Sequence, residues 1–229
     1  MAQGWFITGT DTGVGKTLVA QALLRLLARA GRRAVGMKPV ASGCEATPDG
    51  LRSGDALALM GAGNVAADYA DVNPYAFAVP TAPHLAAAGA GMTIDPAAVV
   101  RAYRRLVAQA DTVIVEGVGG WLTPIDAGNT MADVVKCLDL PVILVVGMKL
   151  GAINHALLTQ EAIRARHCRL AAWVANHSDG PAPDGYLQAL GERLAAPCLG
   201  VIPPHTAVAD AIVHIAEGMQ RVITGKPES

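Results

Sequence analysis

The segment from Gly9 to Thr17 reads GTDTGVGKT and contains the residue types that bind phosphate. Backbone amides of a glycine turn and a helix N-terminus attract phosphate oxygens. Lys16 would reach the β- and γ-phosphates, and the Thr17 hydroxyl would hold Mg²⁺. Five residues separate Gly9 from Gly15, whereas the usual pattern has four. The alternative is an ordinary glycine turn followed by a surface lysine.

Two carboxylates could complete a magnesium site, because Mg²⁺ prefers hard oxygen ligands. Glu116 directly follows the apolar run TVIV, and Asp55 opens a short predicted helix. Each has a second interpretation. Glu116 could cap the GVGG turn that follows it, and Asp55 could be only a helix N-cap.

Two lysines and an asparagine follow other predicted strands. Lys38, Lys149 and Asn176 each come at or just after a strand end. Ligands of parallel α/β sheets bind beyond the carboxyl ends of the strands, so these side chains should converge beside the glycine turn. Surface lysine is the alternative for Lys38 and Lys149.

The elements that must position these residues alternate between strand and helix. The pattern predicts strands at about 4–8, 33–38, 112–115, 141–146, 170–175 and 198–202, and helices after Gly15 and at about 55–60, 96–110, 152–166, 185–195 and 208–219. Such βα alternation predicts an α/β fold, a doubly wound and mostly parallel sheet flanked by helices. The phosphate-binding segment after the first strand makes this sheet resemble the P-loop NTPase type. Residues 1–229 are predicted to form one domain, with long loops at 42–54 and 72–84.

Composition excludes several classes of protein. The chain has 229 residues, of which 52% are hydrophobic and 16% charged, so it is not a disordered chain. Its formal net charge of −1 offers no strong field for nucleic acid. The four cysteines form no CxxC pair, which favours a reducing, cytoplasmic location. The most apolar late run, 140–148, is too short to cross a membrane.

Six runs of sequence together resemble one family. They are GTDTGVGKT, KPVASG (38–43), VNPYAF (72–77), VEGVGGW (115–121), PVILVVGMKLGAINH (141–155) and WVAN (173–176). In this order they resemble the dethiobiotin synthetases over residues 5 to 176. The five-residue spacing in the phosphate loop is also typical of that family.

The resemblance implies an ATP-dependent cyclo-ligase of biotin biosynthesis. Such an enzyme converts 7,8-diaminopelargonate, carbon dioxide or bicarbonate, and ATP into dethiobiotin, ADP and phosphate, through a carbamate and a phosphorylated carbamate. It further implies Mg²⁺ and a homodimer in which the KLGAIN stretch (149–154) holds the substrate carboxylate across the interface.

The resemblance also implies a role for each site residue. Lys38 and Lys16 would be catalytic, and Thr17, Asp55 and Glu116 would bind the metal. The nucleotide would contact Gly13, Val14, Gly15, Lys16, Thr17, Leu18, Asp55, Glu116, Gly117, Val118, Gly119, Asn176 and His177. The substrate would contact Thr12, Lys38, Ser42, Lys149, Gly151, Ala152 and Asn154.

Two departures and two alternatives accompany the resemblance. Gly13 stands where relatives often carry glutamate, and the match thins after Asn176. Partitioning ATPases share this type of sheet, but they carry an extra lysine early in the phosphate loop, where this chain has Asp11. Another cyclising or amidating ligase of the same superfamily would differ only in the acceptor.

Overall fold

The computed structural model describes residues 3–178, 180 and 182–224. Ten strands are found in these residues: β1 Gln3–Gly9, β2 Ala34–Met37, β3 Val40–Ser42, β4 Glu45–Thr47, β5 Gly50–Arg52, β6 Tyr75–Phe77, β7 Thr112–Glu116, β8 Val142–Gly147, β9 Leu170–Asn176 and β10 Cys198–Ile202. Six of them form the main sheet in the order β10-β9-β8-β1-β7-β2.

All neighbouring strands in the main sheet are parallel. Residues of β7 and β8 are buried along the whole length of each strand. Strands covered on both faces consist mainly of branched apolar residues, which explains the sequences TVIVE and VILVVG. Because the strands are parallel, their carboxyl ends lie at one edge of the sheet, and the sequence prediction of the fold class is confirmed.

Helices cover both faces of the sheet. Their bounds are α1 Lys16–Arg29, α2 Gly54–Ala62, α3 Tyr69–Val72, α4 Pro83–Gly89, α5 Pro96–Val107, α6 Met131–Leu138, α7 Ala152–Ala165, α8 Tyr186–Gly191 and α9 Val208–Thr224. Phe6 and Val115 belong to one apolar cluster, whereas Trp5 and Ile114 belong to another. This alternation along each strand divides the core between the two faces of the sheet.

Several element boundaries differ from the sequence prediction. The segment 42–54, predicted to be a loop, contains the β4–β5 hairpin, and 72–84 contains β6, which pairs with β3. Helix α6 was not predicted. Helix α5 ends at Val107 rather than near 110, and α8 covers only Tyr186–Gly191 of the predicted 185–195.

Capping residues fix the ends of two helices. Asp95 is the N-cap of α5 and accepts a hydrogen bond from the Ala97 amide, with Pro96 as the first helical residue. Gly31 has a φ of 78° just after α1, where a residue without Cβ is favoured. Among the described residues, no helix is both long and apolar enough to cross a membrane.

Candidate active site

Four strand ends bring the candidate residues to the carboxyl edge of the sheet. Strand β1 leads into the phosphate loop, and β2 is followed directly by Lys38. Glu116 and Asn176 are the last residues of β7 and β9. Asp55 of helix α2 lies at the same edge of the sheet, as the contact of its carboxylate with the Lys38 ammonium shows.

The phosphate loop has the backbone conformation that its glycines permit. Gly13 and Gly15 have φ values of 77° and 90°, in the left-handed region that favours glycine. A Cβ on Gly15 would lie 2.1 Å from Nδ2 of Asn176, so this position also requires glycine for space. Gly15 is the N-cap of α1 and provides no side-chain cap, and the first amides of a helix are groups that can bind an anion.

Lys38 lies between the two acidic residues. Its Nζ is 2.6 Å from Oε1 of Glu116 and 2.7 Å from Oδ2 of Asp55, and it donates to the Gly117 carbonyl at 3.2 Å. Lys38 is 3% exposed and Glu116 is 1% exposed. The interpretation of Lys38 as a surface lysine is therefore wrong.

Thr17 joins the same cluster through its hydroxyl. Its Oγ1 lies 2.8 Å from Oε1 of Glu116 and 3.0 Å from Oδ1 of Asp55. The other oxygen of Glu116, Oε2, is buried without a hydrogen-bond partner. Three hard oxygen donors and an unsatisfied carboxylate oxygen are the chemistry that Mg²⁺ prefers, so these residues fit that ion.

The two alternatives for the acidic residues are wrong. The N-cap of α2 is Ser53, whose side chain accepts from the Ala56 amide, so Asp55 is not the cap. The carboxylate of Glu116 accepts from Lys38 and Thr17 rather than capping the turn after β7.

The charges of the cluster shift the pKa values of its members. Burial, together with the charge of Lys38, lowers the pKa of Lys16 to about 8. Burial opposes the charged form of Lys38, but Glu116 and Asp55 outweigh it and raise the Lys38 pKa. Burial likewise acts to raise the pKa of Asp55, and the Lys38 ammonium more than compensates and lowers it.

Lys16 is buried beside the phosphate loop. It is 7% exposed, and its ammonium donates to the Asp11 carbonyl at 2.9 Å. This hydrogen bond holds the Lys16 ammonium beside the phosphate loop.

The second strand-end lysine contacts the phosphate loop from outside the carboxylate cluster. Lys149 Nζ lies 3.5 Å from Oδ2 of Asp11. Gly151 follows with a φ of 91° as the N-cap of α7, Ala152 is buried, and Asn154 is exposed on that helix. Lys149 and Asp11 join the start of α7 to the phosphate loop.

Asn176 ends β9, and His177 directly follows it. Asn176 is 3% exposed, and its Nδ2 donates to the Val14 carbonyl at 2.7 Å. Nδ1 of His177 accepts from the Ala182 amide at 3.2 Å. Asn176 therefore contacts the loop that surrounds Gly15.

The remaining predicted residues lie around this cluster. Gly117, Val118 and Gly119 form the turn after β7, and Gly119 has a φ of 62°. Leu18 is partly buried in the first turn of α1, Thr12 is exposed in the phosphate loop, and Ser42 ends β3. In the described part of the chain, Ser42 and Asn154 make no hydrogen bond with Lys38, Asp55 or Glu116.

Comparison with known proteins identifies the family of this chain. A family model described as an AAA domain matches residues 3–211. The ATP-dependent dethiobiotin synthetase BioD of Xanthomonas euvesicatoria pv. vesicatoria (strain 85-10) is 51% identical over 202 residues, which are 87% of this chain and 90% of that protein. The BioD of Serratia marcescens is 54% identical over 180 residues, 79% of each chain. This chain belongs to the dethiobiotin synthetase family.

Solved structures support the fold of this dethiobiotin synthetase family member. The MinC:MinD cell division complex of Aquifex aeolicus gives a TM-score of 0.63 at 17% identity, covering 100% of this chain and 98% of that chain. The septum site-determining MinD of Pyrococcus horikoshii OT3, complexed with Mg-ADP, gives 0.60 at 15% identity and covers 100% of both chains. At such identities the likeness concerns the fold alone.

Several polar contacts that support the site are not predicted from the sequence. Asn73 and Tyr69 connect the backbone at Lys38 to the start of α2, and Asp11 pairs with Lys149. The VNPYAF run was a family motif without an assigned role. Its asparagine, Asn73, precedes a proline and interrupts a run of apolar residues. This interruption is the only sequence signal for a role of Asn73.

Proposed function

We propose that this protein joins carbon dioxide to 7,8-diaminopelargonate with ATP and closes the ureido ring of dethiobiotin. Family membership supports the reaction. The observation that carries the proposal for this chain is the buried Lys38 ammonium, 2.6 and 2.7 Å from Glu116 and Asp55, beside a phosphate loop with a second buried lysine.

The nucleotide would lie along the phosphate loop. We assign the phosphates to the amides of residues 13–18, to Lys16 and to the turn at 117–119. We assign the base to Asn176 and His177, as the resemblance implies. The bond from Asn176 to the Val14 carbonyl means that base recognition and loop conformation would share one side chain.

The diamine would bind beside Lys38, Thr12 and Ser42. One amine forms a bond to the carbon of CO₂ and loses a proton, which gives a carbamate. A carbamate oxygen then attacks the γ-phosphorus, and the bond to the β–γ bridging oxygen breaks as ADP leaves. The second amine attacks the carbamate carbon, phosphate leaves, and the amine loses its proton as the ring closes.

Fixed positive charge explains why two lysines are needed. The carbamate and the triphosphate are both anionic, and bringing them into contact requires compensating charge held in place. Lys16 and Lys38 provide it from buried positions. Their charge would also favour the unprotonated, nucleophilic form of the substrate amine.

Thr17, Asp55 and Glu116 would hold Mg²⁺ with the nucleotide. The buried, unpartnered Oε2 of Glu116 supports this assignment. When bound, the ion would neutralise charge on the β- and γ-phosphate oxygens.

We propose a cytoplasmic homodimer of single-domain subunits. The main sheet combines strands from both ends of the described chain, β1 and β2 with β7 to β10, which supports a single domain. Leu150, just before α7, and Leu158, in its second turn, are 82% and 61% exposed, an apolar surface suited to a partner that covers the 149–154 segment. A sedimentation measurement at assay concentration should give twice the chain mass of 23.5 kDa, and a single-chain mass would contradict the dimer.

The reaction is tested by product analysis. We expect purified protein with Mg²⁺, ATP, ¹³C-bicarbonate and 7,8-diaminopelargonate to form a ring product that carries one ¹³C, detected by mass spectrometry. Phosphate release should require both diamine and bicarbonate. ATP turnover stimulated by DNA or lipid, with no response to the diamine, would contradict the proposal.

A further inference from the structure

Two consecutive residues of the VNPYAF run hold the backbone of Lys38. The Lys38 amide donates to the Val72 carbonyl at 2.8 Å. The Lys38 carbonyl accepts from Nδ2 of Asn73 at 2.7 Å. Asn73 is 4% exposed, and the same Nδ2 donates to the Tyr75 carbonyl at 3.2 Å. Nδ2 of the buried Asn73 therefore donates to two backbone carbonyls next to the site.

The other end of the Asn73 amide reaches the helix that carries Asp55. The Tyr69 hydroxyl donates to Oδ1 of Asn73 at 2.9 Å and accepts from the Ser53 amide at 2.7 Å. Ser53 is the N-cap of α2, and Asp55 lies two residues further on. The guanidinium of Arg52 lies 4.2 Å from the centre of the Tyr69 ring, which holds that ring in place from its face.

These contacts form a closed circuit. It runs from the Lys38 backbone through Asn73 and Tyr69 to Ser53, along the first turn of α2 to Asp55, and back to Lys38 through the 2.7 Å contact between Oδ2 and Nζ. The hydroxyl of Tyr69 is the only atom in the circuit that donates on one side and accepts on the other. Burial raises the pKa of Tyr69, so it keeps the proton that it donates.

We infer that Tyr69 and Asn73 are positioning residues that fix the first turn of α2, and with it Asp55, against Lys38 in the ligase reaction. This inference rests on the proposed function. Without the hydroxyl, the Ser53 amide loses its partner and the start of α2 can move away from Lys38. Small displacements of groups around a transfer centre are costly because the reaction depends on their alignment.

The chain contains a matched control for this hydroxyl. The Tyr75 hydroxyl accepts from the Asp95 amide at 2.9 Å, and Asp95 is the N-cap of α5. Both tyrosines therefore bond the N-cap amide of a helix. Among the described contacts, that of the Tyr75 hydroxyl involves none of the residues Lys38, Asp55 and Glu116.

The first test compares Tyr69→Phe with Tyr75→Phe in the full-length protein. For Tyr69→Phe we expect kcat for ring product to fall about 3- to 10-fold, the size of one lost hydrogen bond, with KM for ATP and diamine within about 2-fold of the original. Electron paramagnetic resonance should show a similar loss of Mn²⁺ affinity in the presence of ATP. Tyr75→Phe should change neither quantity by more than about 2-fold, even where it lowers the melting temperature.

The second test asks whether Tyr69 acts through Asp55. In an Asp55→Asn background, the added Tyr69→Phe change should lower kcat by less than about 2-fold, because the group that it positions has already been altered. An unchanged kcat in Tyr69→Phe, an equal loss in Tyr75→Phe, or the same loss in both backgrounds would overturn the inference. If the original protein makes no ring product, the proposed function fails instead, and Mn²⁺ affinity with ATP still tests the positioning.

Discussion

Lys38→Met should lower kcat for ring product by about 100- to 1,000-fold while ATP still binds. This is the range found when one fixed group that stabilises transition-state charge is removed. Methionine has nearly the length of the lysine stem, so the buried volume is kept and only the charge is lost. Product formation by mass spectrometry and ATP binding by calorimetry measure the two effects separately.

The matched control for this variant is Lys136→Met on α6. Lys136 is exposed, and its replacement should leave kcat within about 2-fold. A Lys38→Met protein with an undiminished rate would remove Lys38 from the mechanism. Loss of both ATP binding and rate would assign Lys38 to nucleotide binding alone.

Lys38→Met should also lower the free energy of unfolding, by about 3 kcal/mol, since it leaves Glu116 buried without its cation.

The pH dependence of this stability follows from the shifted pKa values. Because the Lys38 pKa is raised, the stability that Lys38 contributes is complete below the unfolded pKa of about 10.4 and is lost as pH rises through the folded pKa. Because the Asp55 pKa is lowered, the stability that Asp55 contributes is complete above the unfolded pKa of about 3.9 and is lost as pH falls through the folded pKa. The difference in the free energy of unfolding, measured with denaturant, should therefore stay constant from about pH 5 to pH 7; at higher pH Lys16, whose pKa of about 8 depends in part on the Lys38 charge, also titrates and changes it.

The sequence could predict the main sheet because its signals are local. Strands such as β7 and β8 are continuous apolar runs, and a glycine turn followed by an amphipathic helix identifies the phosphate loop without knowledge of the rest of the chain. Strands β3 and β6 have three residues each, too few for a periodic pattern, and each forms only because the other lies beside it. Their pairing joins segments 35 residues apart, such as Val40 and Tyr75.

The site residues at or near the ends of main-sheet strands could be predicted from the sequence, as the sheet could. Lys38 directly follows β2, Glu116 ends β7, and Lys16 begins the helix after the loop that follows β1. A parallel sheet is therefore enough to bring them together. Asp55 does not follow a main-sheet strand, and the choice between cap and ligand could not be made until Ser53 was seen to cap α2. Asn73 and Tyr69 act on Lys38 and Ser53 through single hydrogen bonds across the fold, and such bonds have no repeating sequence pattern.

The contacts of Glu116 relate the two halves of the cluster. Its Oε1 accepts from both Lys38 and Thr17, whereas Oε2 is buried without a partner. A buried carboxylate oxygen that stays unpaired is costly to the fold, and a cation at that oxygen would offset the cost. The residue therefore serves as a counter-ion to Lys38 and as a candidate metal ligand at once.

Glu116→Gln should separate these two roles. The amide keeps the side-chain shape and one oxygen that can accept from Lys38, but it loses the negative charge that a divalent cation needs. We expect Mn²⁺ affinity in the presence of ATP, measured by electron paramagnetic resonance, to fall about 100-fold, because even partners outside the direct ligand shell cost 10- to 100-fold. The rate of ring formation at fixed Mg²⁺ should fall at least as much, and higher Mg²⁺ should restore part of it.

The comparison for Glu116→Gln is Glu192→Gln, which makes the same chemical change at an exposed carboxylate paired with Arg193. That variant should match the original protein in Mn²⁺ affinity and rate, since exposed ion pairs contribute little. If Glu116→Gln bound Mn²⁺ with unchanged affinity, Glu116 would be only the counter-ion of Lys38, and the metal would have to depend on Thr17 and Asp55. If Mn²⁺ affinity fell as expected while Lys38→Met left it intact, the carboxylate and the ammonium would have distinct tasks in one buried contact.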